Sequence, residues 1–176
     1  MALDSDNVRV AVTGAVYVGP TSATAPTSSA SSLSGFTDLG YVSADGITET
    51  IDKTTSQIRA WQGGALVREV VSEGTYSVTL TFIETKLEVL ELYFGSTITG
   101  GELDGDPTSS GGRKSFVMDI VDGSIIERTY IPAGEVTAVG ERTLASGEAV
   151  GYNVTITAYA DASNVTFKKF FSELEA

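Results

Sequence analysis

Apolar and polar side chains alternate along three stretches of this 176-residue chain. In each stretch one face is apolar and the other carries mainly small or polar residues, which is the period of a half-buried β-strand. β-Branched residues are frequent in all three, as is typical of strands. The strands predicted in this way cover residues 8–18, 75–82 and 149–159.

The period changes after the middle strand, where Thr85 and Glu88 have the spacing of a capping box. Apolar residues then recur at helical spacing, and Gly95 suits a left-handed C-cap. We therefore predict one short α-helix from about Lys86 to Phe94. Three side chains are expected to pack it against the sheet: Leu87, Leu90 and Phe94.

Residues 114–131 are typical of a hairpin, because two apolar stretches flank Asp122-Gly123. An Asp-Gly pair supplies the positive φ angles of a tight two-residue turn. Pro132 is predicted to end the second strand.

Residues 45–71 form a second and longer predicted hairpin, called the arm below. It follows a turn signal at residues 44–46, includes an aperiodic polar segment at residues 53–56 and breaks at Gly63-Gly64. Its facial pattern is weak, and such strands can be completed by a partner chain. Trp61, the single Trp, is either an interface anchor or part of a local core.

The length predicts one domain, residues 1–176, with two unusual segments. Residues 19–35 are rich in Ser, Thr, Ala and Pro and are expected to form a surface loop. Residues 160–176 are expected to form a C-terminal arm. Its aromatic residues either dock on a neighbouring copy or fold back on the chain: Phe167, Phe170 and Phe171.

Eight or more short strands, regular turn signals and one helix predict a mainly β fold. The expected architecture is an antiparallel β-sandwich or barrel with one short flanking helix and a long hairpin arm.

Composition excludes several classes of function. The chain has no Cys and no His, so disulfides, thiolate or imidazole metal sites and Ser-His-Asp catalysis are ruled out. The formal charge is −12 and the basic residues are scattered, which disfavours phosphate binding but suits repulsion of a polyanion. No segment has the ~20 apolar residues of a membrane span. We expect a protein that is cytosolic and soluble when made, without a membrane partner.

No enzyme activity, cofactor or metal is expected. Residues 102–106 contain three carboxylates, which fits a calcium loop or, more simply, turn chemistry. Glu49 and Asp52 could be drawn as a catalytic carboxylate pair, but such pairs arise by chance in an acidic chain.

Three segments together resemble the major tail tube protein family of long-tailed, non-contractile bacteriophages. They are LGYVSADGITE at residues 39–49, IRAWQG at residues 58–63 and SVTLTFIETKLEVLELYFG at residues 77–95. The resemblance covers residues 8–159, and the predicted order of elements also agrees with that family.

The resemblance implies a structural virion protein that closes into hexameric rings, which stack into the tail tube. Double-stranded DNA would pass through without specific binding, and tail tip, tape measure and tail terminator proteins would be partners. The location would be the virion tail, assembled in the host bacterial cytoplasm. The chain length leaves no room for the extra immunoglobulin-like domain of some members.

In that family the arm reaches an adjacent ring, and both terminal segments make further contacts between rings. The candidate contacts between subunits are therefore Asp45, Thr48, Asp52, Lys53, Arg59, Trp61, Arg68, Phe167, Phe170 and Phe171. Two alternatives stay open: a tube subunit of a secretion or injection machine of the type VI kind, or an acidic carbohydrate-binding β-sandwich.

Overall fold

The computed structural model describes residues 7–175. In this range the chain is mainly β, with one short helix, as the sequence predicts. The elements are β1 Thr13–Gly19, β2 Thr37–Asp38, β3 Val42–Arg59, β4 Leu66–Phe82, α1 Leu87–Phe94, β5 Ile98–Thr99, β6 Glu102–Leu103, β7 Lys114–Asp122, β8 Ile125–Val139, β9 Tyr152–Tyr159 and β10 Lys168–Phe171.

Eight strands form one antiparallel sheet with the order β2-β1-β7-β8-β9-β4-β3, and β10 pairs with β8. The strands β5 and β6 form a separate small hairpin. Within residues 7–175 the ladder does not close into a barrel, because β2 and β3 at its ends each pair on one side only. The sheet of the described residues therefore has edge strands at β2 and β3, and β10, which pairs with β8 alone, is a third.

The core forms where the two halves of the sheet face each other. Val16 of β1 and Phe116 of β7 lie in the same buried cluster as Val78 of β4 and Ile156 of β9. Strict alternation is confirmed in residues 76–82 of β4 and in β9, where inward residues are buried and outward residues are half-buried. The sheet must bend to bring these four strands around one core.

The serine-rich loop covers the outer face of β7 and β8. Arg128 Nε and Nη2 donate to the two carboxylate oxygens of Asp119, each at 2.7 Å, and Nη1 donates to the Ser31 carbonyl at 2.6 Å. Ser29 N and Oγ donate to the Glu175 carboxylate at 2.6 and 2.7 Å. A loop too poor in apolar residues to pack by itself is thus held in place by charge-assisted hydrogen bonds.

The helix is found where it was predicted, but its start and its buried face differ from the prediction. Lys86 is the N-cap residue and makes no side-chain capping bond, because Thr85 Oγ1 instead lies 3.1 Å from the Tyr152 hydroxyl. The fully buried positions are Val89 and Leu92. Of the predicted anchors, Leu90 packs half-buried against the core, Phe94 is half-buried and Leu87 is exposed. Gly95 does adopt the left-handed C-cap, with φ 66°.

The beginning of the arm also differs from the prediction. Residues 44–46 are not a turn between strands, since β3 continues through them with a register shift between Val42 and Ile47. Gly46 has φ 71°, which such a bulge requires. Residues 53–56 belong to the same strand because β4 pairs with them throughout. The break at Gly63-Gly64 is confirmed as the hairpin turn, with φ 68° and 67°.

Two strand predictions were wrong in their limits. β1 begins at Thr13 because its partner β7 ends one residue after Val121, which leaves residues 8–12 with no strand to pair with. β8 runs through Pro132 instead of ending there. Pro132 lies between the part of β8 that pairs with β10 and the part that pairs with β9, where a missing N–H breaks neither ladder.

The β7–β8 turn is confirmed, one residue later than predicted. Asp122 pairs with Ile125, so Gly123 and Ser124 are the central residues. Only Gly123 has a positive φ, of 60°, which is the pattern of a turn with Gly at its first central position.

Candidate assembly surfaces

The outward side chains of β4 and β9 form one continuous polar surface. Thr79 and Thr155 are register partners, and their hydroxyl oxygens lie 3.0 Å apart. Asn153 Nδ2 donates to Thr81 Oγ1 at 2.9 Å, and the Thr137 and Thr157 hydroxyls lie 2.7 Å apart. We call this surface the hydroxyl face; it consists of Ser77, Thr79, Thr81, Thr137, Asn153, Thr155 and Thr157.

The hydroxyl face continues onto β3. Thr48 pairs with Thr79 and Asp52 with Thr75, so these side chains point to the same side of the sheet. The far edge of β3 has no ladder partner within residues 7–175. The face is therefore three strands wide, extends onto β8 through Thr137, and ends at an open strand edge.

The arm projects beyond the body of the sheet. In chain order, Tyr76 is the first β4 residue that pairs with β9. The ten residues of β4 before it have no partner strand other than β3. At ~3.3 Å per residue the projection is roughly 33 Å, about the diameter of a small domain. Apolar side chains along it are exposed: Ile51, Ile58, Trp61, Leu66, Val67, Val70 and Val71. An unsupported ribbon with this much exposed apolar surface is typical of a segment that is buried by a partner.

The tip of the arm is apolar and basic. Trp61 is 96% exposed, so it closes no local core. Arg59 donates to Gly64 O at 3.3 Å and to Gln57 Oε1 at 2.8 Å. In the part of the chain that the structure describes, no carboxylate lies within 4.0 Å of Arg59 or Arg68.

The structure brings the predicted contact residues together in two groups. One group lies along the exposed arm and comprises Asp45, Thr48, Asp52, Lys53, Arg59, Trp61 and Arg68. The aromatic group of the C-terminal segment is divided. Phe167 packs inside the chain, stacked on Tyr76 with ring centroids 4.1 Å apart. Phe170 is half-buried in β10, while Phe171 remains 39% exposed.

A polar cluster that sequence reasoning missed joins the C-terminal strand to the base of the arm. Lys169 Nζ lies 2.9 Å from Glu49 of β3 and 2.6 Å from Glu127 of β8. The buried Tyr76 hydroxyl lies beside them without a well-formed hydrogen bond, alone among the buried side-chain polar atoms of residues 7–175. The cluster depends on contacts between residues up to 120 positions apart, which no local pattern reveals.

Both Lys169 and Tyr76 hold their protons more tightly than usual. Burial opposes the charge of Lys169, but its hydrogen bonds to Glu127 and Glu49 outweigh burial and raise its pKa. Burial is the main cause that raises the pKa of Tyr76, and Glu49 adds to it. The folded protein therefore keeps protons that the unfolded chain releases near pH 10.

We expect stability to be flat from pH 7 to about pH 9 and to fall above about pH 10, where the unfolded chain loses these protons first. Urea unfolding at pH 8, 10 and 11 measures this. Tyr76→Phe removes one of the two titrating groups and is expected to make the alkaline loss smaller. Equal unfolding midpoints at pH 8 and pH 11 for the unmodified chain would contradict the assignment.

Two larger concave surfaces and a smaller one, which lies beside Arg9 and Asp122, complete the description. A groove of about 610 Å³ lies between the start of β1 and the bulged start of β3. Its wall includes Val12, Tyr41, Ile47 and Ile120, with Glu49 and Glu127 at one end. A second cavity, of about 550 Å³, lies between the end of the helix, at Phe94, and Val139 of β8.

The sites considered for metal or catalysis do not assemble. Asp106 accepts hydrogen bonds from Thr108 N at 2.8 Å and Thr108 Oγ1 at 2.7 Å, a turn that lowers the pKa of this carboxyl. Within residues 7–175 no three metal-ligating side chains cluster. Glu49 and Asp52 are three positions apart on one strand and so point to opposite faces. No helix in the same range is long and apolar enough to cross a membrane.

Several solved assemblies share this fold. The sheath–tube complex of the extracellular contractile injection system PVC, in the extended state, matches with a TM-score of 0.53 and 10% identity over 96% of this chain and 93% of that chain. The sheath/tube terminator structure of the same system matches with a TM-score of 0.53 and 10% identity, over 96% of this chain and 99% of that chain. The tube-terminating cap of the anti-feeding prophage matches with a TM-score of 0.51 and 11% identity, over 96% of this chain and 98% of that chain. At this identity the likeness establishes the fold.

No curated protein matches the sequence. The family described as "Phage tail tube protein" does match, over residues 1–174, which is nearly the entire chain. The mainly β fold with one short helix and the projecting hairpin agree with that match. The chain belongs to the phage tail tube protein family.

Proposed function

We propose that this chain is the tube subunit that closes into hexameric rings, which stack into a tail tube for genome delivery. The hydroxyl face carries this proposal. It is a continuous, hydrogen-bonded surface of hydroxyl and amide groups that ends at the open edge of β3, where the Asp52 carboxylate joins it. A wall of this kind suits the bore of a channel, because it is wetted by water and offers no cation to the phosphates of a passing duplex.

Ring closure uses the free edge of β3. An open edge presents unpaired N–H and C=O groups, and a neighbouring copy satisfies them by strand addition. The hydroxyl faces of adjacent copies then join into one inner wall. The arm and the terminal segments contact copies in the next ring, and the exposed apolar side chains of the arm become buried there.

Charge keeps the contents of the tube mobile. Six copies carry a formal charge of six times −12, or −72. Like-charge repulsion from this assembly holds DNA away from the wall, so that transport needs no specific binding. Family membership supports the remaining proposed partners, which are tail tip, tape measure and tail terminator proteins, and a proposed location in a virion tail assembled in the host cytoplasm.

Electron microscopy of negatively stained protein at high concentration tests the proposal. Rings and tubes with a stain-filled bore are expected. A chain that stays monomeric at every concentration, as an acidic carbohydrate-binding module would, contradicts it.

Thr155→Lys tests the position of the hydroxyl face. Thr155 lies in the middle of β9, and its substitution places six ammonium groups around each ring of the bore. We expect variant tubes to retain short duplex DNA at low salt and to release it as salt rises, since phosphate contacts are salt-dependent. Thr108→Lys, on an exposed loop, is the matched control. Equal retention by the two variants would place the hydroxyl face outside the bore.

A second candidate is the tube of a contractile injection system, where the cargo is a protein. The observation that favours it is the likeness of the fold to the sheath–tube complex, at a TM-score of 0.53. Purified particles distinguish the two functions, because a genome-delivery tube is joined to a DNA-filled capsid and an injection tube is surrounded by a sheath.

A further inference from the structure

The groove lies where the bent sheet fails to close. One wall is formed by residues 11–14 at the start of β1, which β2 does not reach, and the other by the bulged start of β3 at the far end of the ladder. Val12 and Tyr41 at its rim are 67% and 75% exposed, and Ile47 and Ile120 line its floor. The groove therefore presents apolar side chains beside polar ones and is open to solvent.

The groove carries surplus negative charge. Glu49 and Glu127 share a single cation, Lys169. Beside the groove, the Asp45 carboxylate accepts a hydrogen bond from the Ser43 hydroxyl, and the Asp122 carboxylate accepts one from the Val10 N–H. Among residues 7–175 no cation lies within 4.0 Å of Asp45 or Asp122. Two carboxylates, those of Glu49 and Glu127, thus line the groove with one shared ammonium. Asp45 and Asp122 lie beside the lining, and Asp122 shares the adjacent concavity with the Arg9–Glu173 ion pair.

The tip of the arm has the complementary character. Trp61 is a large exposed side chain, and Arg59 and Arg68 beside it have no carboxylate partner in the described part of the chain. No other exposed segment of residues 7–175 combines an indole with two unpaired guanidinium groups. Trp and Arg are the side chains that most often dominate binding at interfaces.

We propose that the groove of one copy receives the arm tip of a second copy. Trp61 lies against Val12 and Tyr41, while Arg59 and Arg68 pair with Asp45 and Asp122. The arm projects roughly 33 Å, far enough to cross from one body to the next. This inference rests on the proposed function and specifies which surface of the neighbouring copy the arm occupies.

Cysteine cross-linking tests the contact directly, since the chain has no Cys of its own. Gln62→Cys lies next to Trp61 in the turn, and Tyr41→Cys lies at the rim of the groove. A mixed assembly of these two single variants is treated with a short bifunctional thiol reagent. We expect a covalent dimer in assembled tubes and none in dilute monomer.

Val139→Cys is the matched control, because Val139 is 49% exposed and lines the second cavity. A cross-link from Gln62→Cys to Val139→Cys instead of Tyr41→Cys would assign the tip to that cavity and overturn the proposal. Tubes without a cross-link at Tyr41 also overturn it, while the proposed function stands. If the unmodified chain forms neither rings nor tubes, both fail.

A charge exchange gives an independent readout. Arg59→Glu with Arg68→Glu is expected to raise the concentration needed for assembly at least about thirtyfold, the effect of losing one interface hot spot. Adding Asp45→Arg and Asp122→Arg to the same chain is expected to restore assembly. Failure to recover, with a folded chain by circular dichroism, contradicts the pairing.

Discussion

Replacing residues 54–73 with Asn-Gly abolishes tube formation and leaves the body of the protein folded. Lys53 and Gly74 are register partners, so a two-residue Asn-Gly turn joins them without changing the ladder below. Nearly all of the removed side chains are exposed. Their loss is expected to change the free energy of unfolding by no more than about 1 kcal/mol. Thermal unfolding and electron microscopy on the same sample measure the two effects.

Gly63→Asn is the control for the arm. Its φ of 68° is a conformation that Asn tolerates, and nothing lies within 4 Å of the added Cβ. This variant keeps the arm and is expected to assemble normally. If the variant that lacks residues 54–73 still forms tubes at the normal concentration, the arm is not an assembly element.

Arg128→Met is expected to cause the largest loss of stability of any single polar substitution considered. The Arg128 and Asp119 side chains are only 7% and 13% exposed, and removing one partner leaves a buried carboxylate uncompensated. The expected cost is about 3–5 kcal/mol, measured by urea unfolding. The Ser31 carbonyl also loses the Arg128 donor, and the Ser28 carbonyl loses one of its donors, so the loop at residues 19–35 is expected to be released from β8.

The double variant Arg128→Met with Asp119→Leu separates these two effects. It contains no unpaired charge, so at least about half of the lost stability is expected to return. The loop nevertheless stays released in both variants, which limited proteolysis at residues 19–35 detects. A double variant that is less stable than the single one would show that the ion pair is not the source of the cost.

The predictions from sequence were correct where local interactions determine the structure. The inward and outward faces of β4 and β9 follow from period-two alternation, because each residue points to the side opposite its neighbours. Gly95 and the Gly63-Gly64 turn were identified because positive φ angles favour glycine. The mainly β class and the arm follow from such elements.

The errors occurred where a distant partner decides the outcome. The Thr85 hydroxyl does not cap the helix, because it bonds to the hydroxyl of Tyr152, 67 positions away. The arrangement of the sheet above α1 selects Val89 and Leu92 instead of the stripe that includes Leu87. Residues 8–12 alternate like a strand but are not paired as one, because β7 ends at Asp122, one residue beyond the partner of Thr13.

The candidate assembly surfaces were predictable only in part. The arm and its exposed residues were found from weak patterning, and the two hydroxyl-rich strands from their alternation. That these strands are neighbours on one face is a property of the strand order β9-β4-β3. The sequence left open whether Phe167 docks on a neighbouring copy or folds back on its own chain. Its stacking on Tyr76 shows that it packs in this chain's own core.

The central claim is that the open edge of β3 pairs with a strand of the adjacent subunit. This pairing joins the hydroxyl faces into one inner wall. A helical reconstruction of assembled tubes by cryo-electron microscopy tests it most directly. The account predicts β3 hydrogen-bonded to a strand of the adjacent subunit, with Thr79 and Thr155 facing the bore. A reconstruction in which β3 stays unpaired, or in which these two residues face the outside of the tube, would contradict it.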